Sequence, residues 1–515
     1  MNGRRGDEHD ESLEVFGEAV RRNSRALTIA HLATRILRFP ALLVLAPFLG
    51  REDFGRFVAA GALLEIVRLI HNFGTDEIVS RRVAARPDGM NRALGRILGL
   101  RLALAGVAMG VAAASGALVL GSDWVLVAIG ALEFPIRALL ECFYLPFRVR
   151  LQMHRVLGVA VSQTLVFVAG CFAAALGRWT LPWILAIGPV SAAVGCAHVG
   201  FIAARMGWLA RPRLNKRWAI GLLRQSWPVG VTALLVLAYF RVDTLMLKNL
   251  VGDAETGDYG LAFRCSETLL ILAGALATTF YPLLSAQAKQ PERFRRTFLQ
   301  VQPVIGRLAL GSAFGLATLG ALPLEKLLND ASSFGPSLWL LSWATACMFF
   351  NQFSAPALIA LGEQTAVTRI AATNLALNVA LNAWWIPIFG VPGACAATLL
   401  TEAANALWQR RALGRRLGAW PWLRPSMQGS LWVLGSLPVA WIASQGLAGW
   451  MVAAVIYGLV AIPMLREMRA LWMKRGEGEA PETSGPKEVI ESPKASVTTR
   501  SMTASKPTPH SRSLR

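Results

Sequence analysis

Gly50-Arg51-Glu52-Asp53-Phe54-Gly55-Arg56-Phe57 has a counterpart later in the chain, Gly252-Asp253-Ala254-Glu255-Thr256-Gly257-Asp258-Tyr259. Both stretches read glycine, four residues, glycine, one residue, aromatic, and Gly50 to Gly252 sets an offset of 202 residues. At that offset Glu65 falls on Glu267. Each copy joins one long apolar run to the next. Helical hairpins repeated at matching places in two halves are a common plan among membrane transporters. The pattern predicts a turn between the first two helices of each of two related halves.

Composition agrees with a membrane protein. Apolar residues make up 54% of the 515 residues and charged ones only 16%, where a soluble chain carries about 25%. A helix needs about 20 mostly apolar residues to cross a bilayer. Fourteen runs qualify: 26–49, 54–73, 97–120, 124–147, 156–176, 181–204, 229–250, 259–284, 304–324, 338–361, 366–388, 391–413, 431–447 and 450–465. Barrel strands would be about 10 residues long and alternate in polarity; these runs do neither. The expected fold is therefore an all-α integral membrane protein of about fourteen transmembrane helices. Its segments are a cytoplasmic N-terminal stretch (1–23), a first lobe (24–210), a second lobe (211–425), two further helices (426–472) and a disordered cytoplasmic tail (473–515). The tail is rich in Ser, Thr, Pro, Lys and Glu, a composition that cannot build a core.

The net charge of +21 reads as a topology signal rather than a nucleic-acid footprint. Basic residues crowd the N-terminal tail (Arg4, Arg5, Arg21, Arg22, Arg25) and the even loops, as with Arg81, Arg82, Arg86, Arg92 and Arg96 in the second and Arg410, Arg411, Arg415, Arg416 and Arg424 in the twelfth. The odd loops carry just Arg51 and Arg56, Arg178, Lys248 and Lys326. Positive residues stay cytoplasmic, so both termini are expected inside, with anionic lipid heads as a secondary partner. Residues 10–22 form a weakly amphipathic stretch suited to the inner surface or to solvent. The start is polar and shows no cleavable signal pattern. The six cysteines lie within apolar runs without CxxC spacing and read as packing residues, not as metal or redox ligands.

Ionisable groups inside a membrane are costly, roughly 2.5–3.5 kcal/mol each at a helix centre. Thr28, His31, Arg35 and Arg38 share one face of the first run. Glu65 and Arg68 lie in the second, Glu133, Arg137 and Glu141 in the fourth, Arg241 and Asp243 in the seventh, and Arg264 and Glu267 in the eighth. Counted from the glycine turns at 1.5 Å per residue, the groups on the first two runs of each half reach about 10–20 Å deep, near mid-bilayer. They are expected to line one hydrated chamber with a surplus of arginine, a residue suited to phosphate. Arg35 and Arg38 have no acid in their own helix and are the best substrate candidates. Glu133, Arg137 and Glu141 look like a self-neutralising stack, and Glu65 with Arg68, or Arg264 with Glu267, can pair locally. Arg241 and Asp243, two apart, point to different sides and need separate partners. Asn374, Asn378 and Asn382 form an i, i+4, i+8 ladder that fits either sugar hydroxyls or helix–helix hydrogen bonding. Pro40, Pro135, Pro189 and Pro356 mark expected bends.

Arg241-Val242-Asp243, then Gly252, Gly257-Asp258-Tyr259 and Tyr281-Pro282-Leu283-Leu284-Ser285, together with Phe389-Gly390-Val391-Pro392-Gly393-Ala394 and the asparagine ladder, resemble the Wzx-type polysaccharide-biosynthesis flippases of the MATE-like (MOP) exporter superfamily. The resemblance spans roughly residues 24–470. It implies two six-helix lobes in a V, related by a pseudo-two-fold, plus two extra helices. It also implies transport of a polyprenyl-diphosphate-linked oligosaccharide across a bacterial inner membrane, toward a surface lipopolysaccharide or exopolysaccharide, with polymerase and export proteins as partners. The family's cationic cavity maps onto Arg35, Arg38, Arg68, Arg241 and Arg264, with Asn374 and Asn378 on the sugar. Glu65, Asp243 and Glu267 would balance charge or couple protons. No cofactor or metal is implied. A lipid II flippase shares this plan. A drug antiporter would carry acids without surplus arginine. A membrane polysaccharide polymerase would need a larger outer loop or an acidic metal motif, and no nucleophile constellation is visible.

Overall fold

The structure is a computed structural model. It describes residues 2–84, 90–150, 152–320, 323, 334–418, 435–444, 446–459 and 462, with side chains for Thr34 and from residue 37 onward except Glu77 and Ala84. The chain divides into two units, Met1–Met464 and Leu465–Arg515. The second, which contains the expected disordered tail, lies outside the described residues, as do residues 85–89 of the basic second loop, Arg86 among them.

The described residues form an all-α membrane protein of two pseudo-symmetric six-helix lobes followed by two helices. The first lobe contains α1 (Asn2–Asn72), α2 (Thr75–Ala84), α3 (Met90–Leu120), α4 (Trp124–Ala131), α5 (Glu133–Val149), α6 (Leu157–Gly177) and α7 (Leu181–Arg205). The second contains α8 (Lys216–Tyr239), α9 (Val242–Leu250), α10 (Asp253–Ala286), α11 (Pro291–Leu319), α12 (Phe334–Ala360), α13 (Gln364–Phe389) and α14 (Val391–Leu417). Helical segments 435–444, α15, and Leu447–Leu459, α16, follow.

Five stretches among the described residues are long and apolar enough to cross a membrane: Met90–Val149, Met153–Gly177, Leu181–Arg205, Lys216–Tyr239 and Asp253–Ala286. The later helices fall short of that measure because they carry Trp339, Trp343 and Asn351 on α12 and three asparagines on α13. Their outward faces are nonetheless apolar. Trp384, Ile388 and Phe389 are exposed, and so are Leu118 and Leu176 in the first lobe, as lipid contact requires.

Both repeat turns are present. Gly50 interrupts α1 at φ 73°, and Gly252 precedes α10 at φ 126°. Both values lie where a side chain is disfavoured. Two expected spans are broken. The 124–147 run splits at Leu132 into α4 and α5, because Pro135 has no N–H to donate to the Ala131 carbonyl. The 229–250 run begins earlier, at Lys216, and breaks at Phe240–Arg241. Residues 10–22 belong to α1, continuous with the first expected span.

Small residues set the packing inside the first lobe. Ala105, Ala108 and Ala112 are fully buried in a cluster with Ala59, Ala60 and Leu63, so the backbones approach closely. The main core of the second lobe takes in Ala46, Phe54 and Val58 from α1. In return Ala219 and Leu222 of α8 pack into the first lobe. The seam between the lobes is therefore built largely by α1 and α10, which make the most extensive pairing in the fold.

Candidate functional site

Two clusters of charge lie within the helices. The first sits at the junction of the lobes. Arg241, at the break between α8 and α9, donates through Nε to Glu65 Oε2 at 2.5 Å and through Nη2 to Glu267 Oε1 at 2.7 Å. Arg264 donates to Glu267 Oε2 at 2.8 Å and to Glu65 Oε1 at 3.3 Å. Two guanidiniums and two carboxylates thus close a ring in which every carboxylate oxygen has a partner. Glu65 and Glu267, the positions matched by the repeat, come from opposite lobes and meet here as their common depth implied. The ring is neutral, which corrects the expectation of surplus arginine at this point. Glu65 turns to the second lobe rather than to Arg68, because two guanidiniums there each bond one of its oxygens.

The second cluster lies wholly within the first lobe. Arg137 pairs with Glu133 one turn away. Arg38 stands within electrostatic reach of Arg137, Arg68 and Glu133, and Arg68 within reach of Arg137, Glu133, Glu65 and Glu141. The Arg38 guanidinium lies 4.7 Å from the centre of the Phe167 ring, and its buried Nε has no hydrogen-bond partner. Arg68 makes no ion pair among the described residues. Glu133, the one carboxylate within reach of all three arginines, is already paired with Arg137. The side chain of Arg35 lies outside the described residues.

The expected Glu133–Arg137–Glu141 stack is divided. Glu141 turns instead to His71 at 3.1 Å and toward Arg101 at 3.8 Å. Arg101 is almost fully buried and also pairs with Asp76 and bonds Asn72 Oδ1 at 3.2 Å; Arg148 reaches Asp76 at 3.0 Å. This network stitches α1, α2, α3 and α5. Sequence reasoning missed Arg101 because it follows Arg96 and blends into the basic loop. Its lodging within an otherwise apolar run was the available signal.

Among the described residues the second lobe buries three acids apart from the ring: Asp258 at the glycine hairpin, Asp243 and Glu402. Asp243 accepts from the Tyr259 hydroxyl and from the Thr244 backbone N–H at 2.7 Å. It faces away from Arg241's partners, as the two-residue spacing required. Glu402, missed as a lone acid in the twelfth run, accepts from the Tyr239 hydroxyl at 2.7 Å and from Asn351 Nδ2 at 2.5 Å. The asparagine ladder lies beside it, with all three residues buried. Asn382 Nδ2 donates to Asn378 Oδ1 at 2.9 Å, and Asn378 Nδ2 to the Thr401 hydroxyl at 3.4 Å. Of the two roles open to the ladder, bonding between helices is the one these contacts display. The cysteines are free thiols.

The sequence pattern of a polysaccharide biosynthesis protein family matches residues 20–287, a little over half of the chain. Among curated proteins, the probable flippase AglR of Haloferax volcanii is 26% identical over 229 residues, covering 44% of this chain and 45% of that protein. The uncharacterized membrane protein MJ1375 of Methanocaldococcus jannaschii is 23% identical over 186 residues, covering 36% and 43%. The chain thus spans a little under half the length of the curated relatives it matches. Among solved structures, the lipid II flippase MurJ in an inward closed conformation superposes with a TM-score of 0.68 at 12% identity, covering 85% of this chain and 98% of that one. An inward-facing multidrug MATE transporter of the MOP superfamily gives a TM-score of 0.59 at 13% identity, covering 78% and 95%. At those identities the likeness is one of fold.

Proposed function

The chain belongs to the polysaccharide biosynthesis protein family, and we propose that it is a flippase for a polyprenyl-diphosphate-linked oligosaccharide. The observation that carries this reading is Arg38: a guanidinium with an unpartnered, buried Nε, stacked on Phe167, beside Arg68 and Arg137. A half-buried cation whose nearest acid is already engaged is costly. A diphosphate supplies the missing acceptors in the planar, forked geometry that arginine favours. The first-lobe cluster therefore binds the anionic part of the headgroup. The glycan occupies the space between the lobes, and the lipid tail stays in the bilayer. Arg241 and Arg264, locked to Glu65 and Glu267, hold the lobes together at that level. The termini lie on the cytoplasmic side, and rocking of the lobes exposes the headgroup to each side in turn.

A lipid-linked peptidoglycan precursor carries the same diphosphate, so the arginines bind both classes and the sugar region tells them apart. The test uses the full chain in proteoliposomes with a fluorescent polyprenyl-diphosphate oligosaccharide and, in parallel, lipid II. The protein moves the oligosaccharide lipid between leaflets, and Arg38→Ala with Arg68→Ala removes that movement while the amount and monodispersity of the protein are unchanged. Full transport by the double variant would overturn the arginine assignment. Transport of lipid II alone would overturn the substrate.

A further inference from the structure

The repeat glycines do more than turn the chain. Gly55 and Gly257, the second glycine of each copy, lie inside helices. A Cβ on Gly55 would overlap the carbonyl oxygen of Asp253, and one on Gly257 would stand 2.5 Å from the carbonyl oxygen of Arg51. By the offset of 202, residue 55 corresponds to 257 and 51 to 253. The two contacts are therefore images of one another, and the hairpins abut across the pseudo-two-fold. Val58 and Gly260 are likewise equivalent, and they meet on the axis itself. A Cβ on Gly260 would lie 2.5 Å from Val58 Cγ1 and 3.2 Å from Val58 Cβ.

Charge follows the same symmetry with its sign exchanged. Arg51 donates to both oxygens of Asp258, through Nε at 3.1 Å to Oδ1. Arg56 donates to Asp253 Oδ2 at 3.4 Å. Since 51 corresponds to 253 and 56 to 258, the second pair is the image of the first with the charges inverted. Had the two copies kept the same residues, each contact would bring like charges together. The two positions at which the copies carry opposite charges, 51/253 and 56/258, are those that meet. Lys248 extends the seam by bridging Asp123 at 2.9 Å, on the turn before α4, and Asp253.

We propose that the two hairpins form a charge-inverted latch that closes the cavity at the glycine end and must part for the lobes to open there. The glycines permit backbone contact, so closure is tight. The side chains of Arg51 and Arg56 are 39% and 41% exposed, so the Arg56–Asp253 pair is weak, and although Asp258 is buried its arginine partner opens to solvent, which lets both pairs separate without trapping the protein. Only the consequence for transport rests on the flippase reading; closure itself is read without substrate.

The test introduces Val58→Cys with Gly260→Cys in the full chain in membranes. The first substitution removes the branch that a Cβ at position 260 would strike, and the Cβ separation of 3.2 Å is a little under the roughly 3.5–4.5 Å of a disulfide, so a slight parting of the hairpins lets the bond form. Disulfide formation is followed as loss of maleimide-PEG addition relative to the parent. The pair forms under mild oxidant, stops transport, and releases it on reduction. Arg51→Asp, which sets two acids face to face, lowers the rate of disulfide formation about fivefold, and adding Asp258→Arg restores it. An unchanged rate in Arg51→Asp, or failure of the exchanged pair to restore it, would overturn the latch, as would full transport by the cross-linked protein. If Arg51→Asp does not accumulate, the exchanged pair alone decides, because a latch requires it to fold and to cross-link like the parent. None of these cross-linking outcomes depends on which lipid is carried.

Discussion

Arg38 and Arg241 are the same residue type at nearly the same depth, and they do opposite things. Arg241 has two carboxylates from two lobes and is spent on structure. Arg38 has an aromatic face and a buried, unpartnered Nε. The repeat explains how the difference arose. At the offset that superposes the halves, Arg38 and Arg68 correspond to Phe240 and Leu270, while Arg241 and Arg264 correspond to Phe39 and Ala62. Only the acids, Glu65 and Glu267, are shared. The pseudo-two-fold therefore contributes a pair of carboxylates at the junction, and the second lobe added the arginines that neutralise them. The first lobe placed its arginines elsewhere and left them in excess. Depth alone does not make an arginine a ligand; the count of acids around it does.

The largest effect should come from breaking the ring. Arg241→Ala takes one bond from each of two half-buried carboxylates and leaves them to share Arg264; it should cost about 3 kcal/mol, measured as a fall in thermal stability of the purified protein. Arg38→Ala removes a cation that the fold does not use and should leave stability within about 0.5 kcal/mol while transport is lost. Equal destabilisation by the two variants would erase the distinction. A smaller change should sharpen it. Glu267→Gln keeps the shape of the ring but leaves the guanidiniums of Arg241 and Arg264 in excess. It should cost about 1–3 kcal/mol and add a second cationic spot at the junction. Binding of inorganic pyrophosphate, followed by calorimetry, should become tighter in this variant and weaker in Arg38→Ala. Unchanged binding in Glu267→Gln would mean that the junction is closed to anions.

Much of the fold was legible because a bilayer fixes element length and charge placement fixes order. The glycine hairpins, the proline break before Glu133 and the common depth of Glu65 and Glu267 all follow from local sequence and one repeat. The break at Phe240–Arg241 has no proline or glycine to announce it. The distribution of partners was less legible. Arg241 finds Glu65 at a separation of 176 residues, and helical spacing speaks only for neighbours three or four apart. Such spacing points Glu141 at Arg137, yet Arg101 and His71 claim it from other helices. The repeat marks the glycines at 55 and 257 as part of a turn, whereas their close approach to the opposite hairpin is a tertiary fact that neither copy contains alone.

The smallest effect tests the asparagine ladder, where the two roles predict different signs of response. Asn378 is buried and links Asn382 to Thr401. If its work is to hold α13 to α14, Asn378→Ala leaves two polar groups without one partner each. Such bonds between membrane helices are weak, about 0.6 kcal/mol on average, because the neighbours find substitutes. A fall in stability of that size, with transport of the oligosaccharide lipid intact, is the expected outcome. If the amide instead reads the glycan, stability should hold and transport should drop, most for the substrate with the most hydroxyl groups. The ladder differs from the first-lobe arginines in one physical respect. An amide whose bonds are met by other side chains gains nothing by exchanging them for a sugar, whereas an arginine beside a phenylalanine gains every bond a diphosphate can offer.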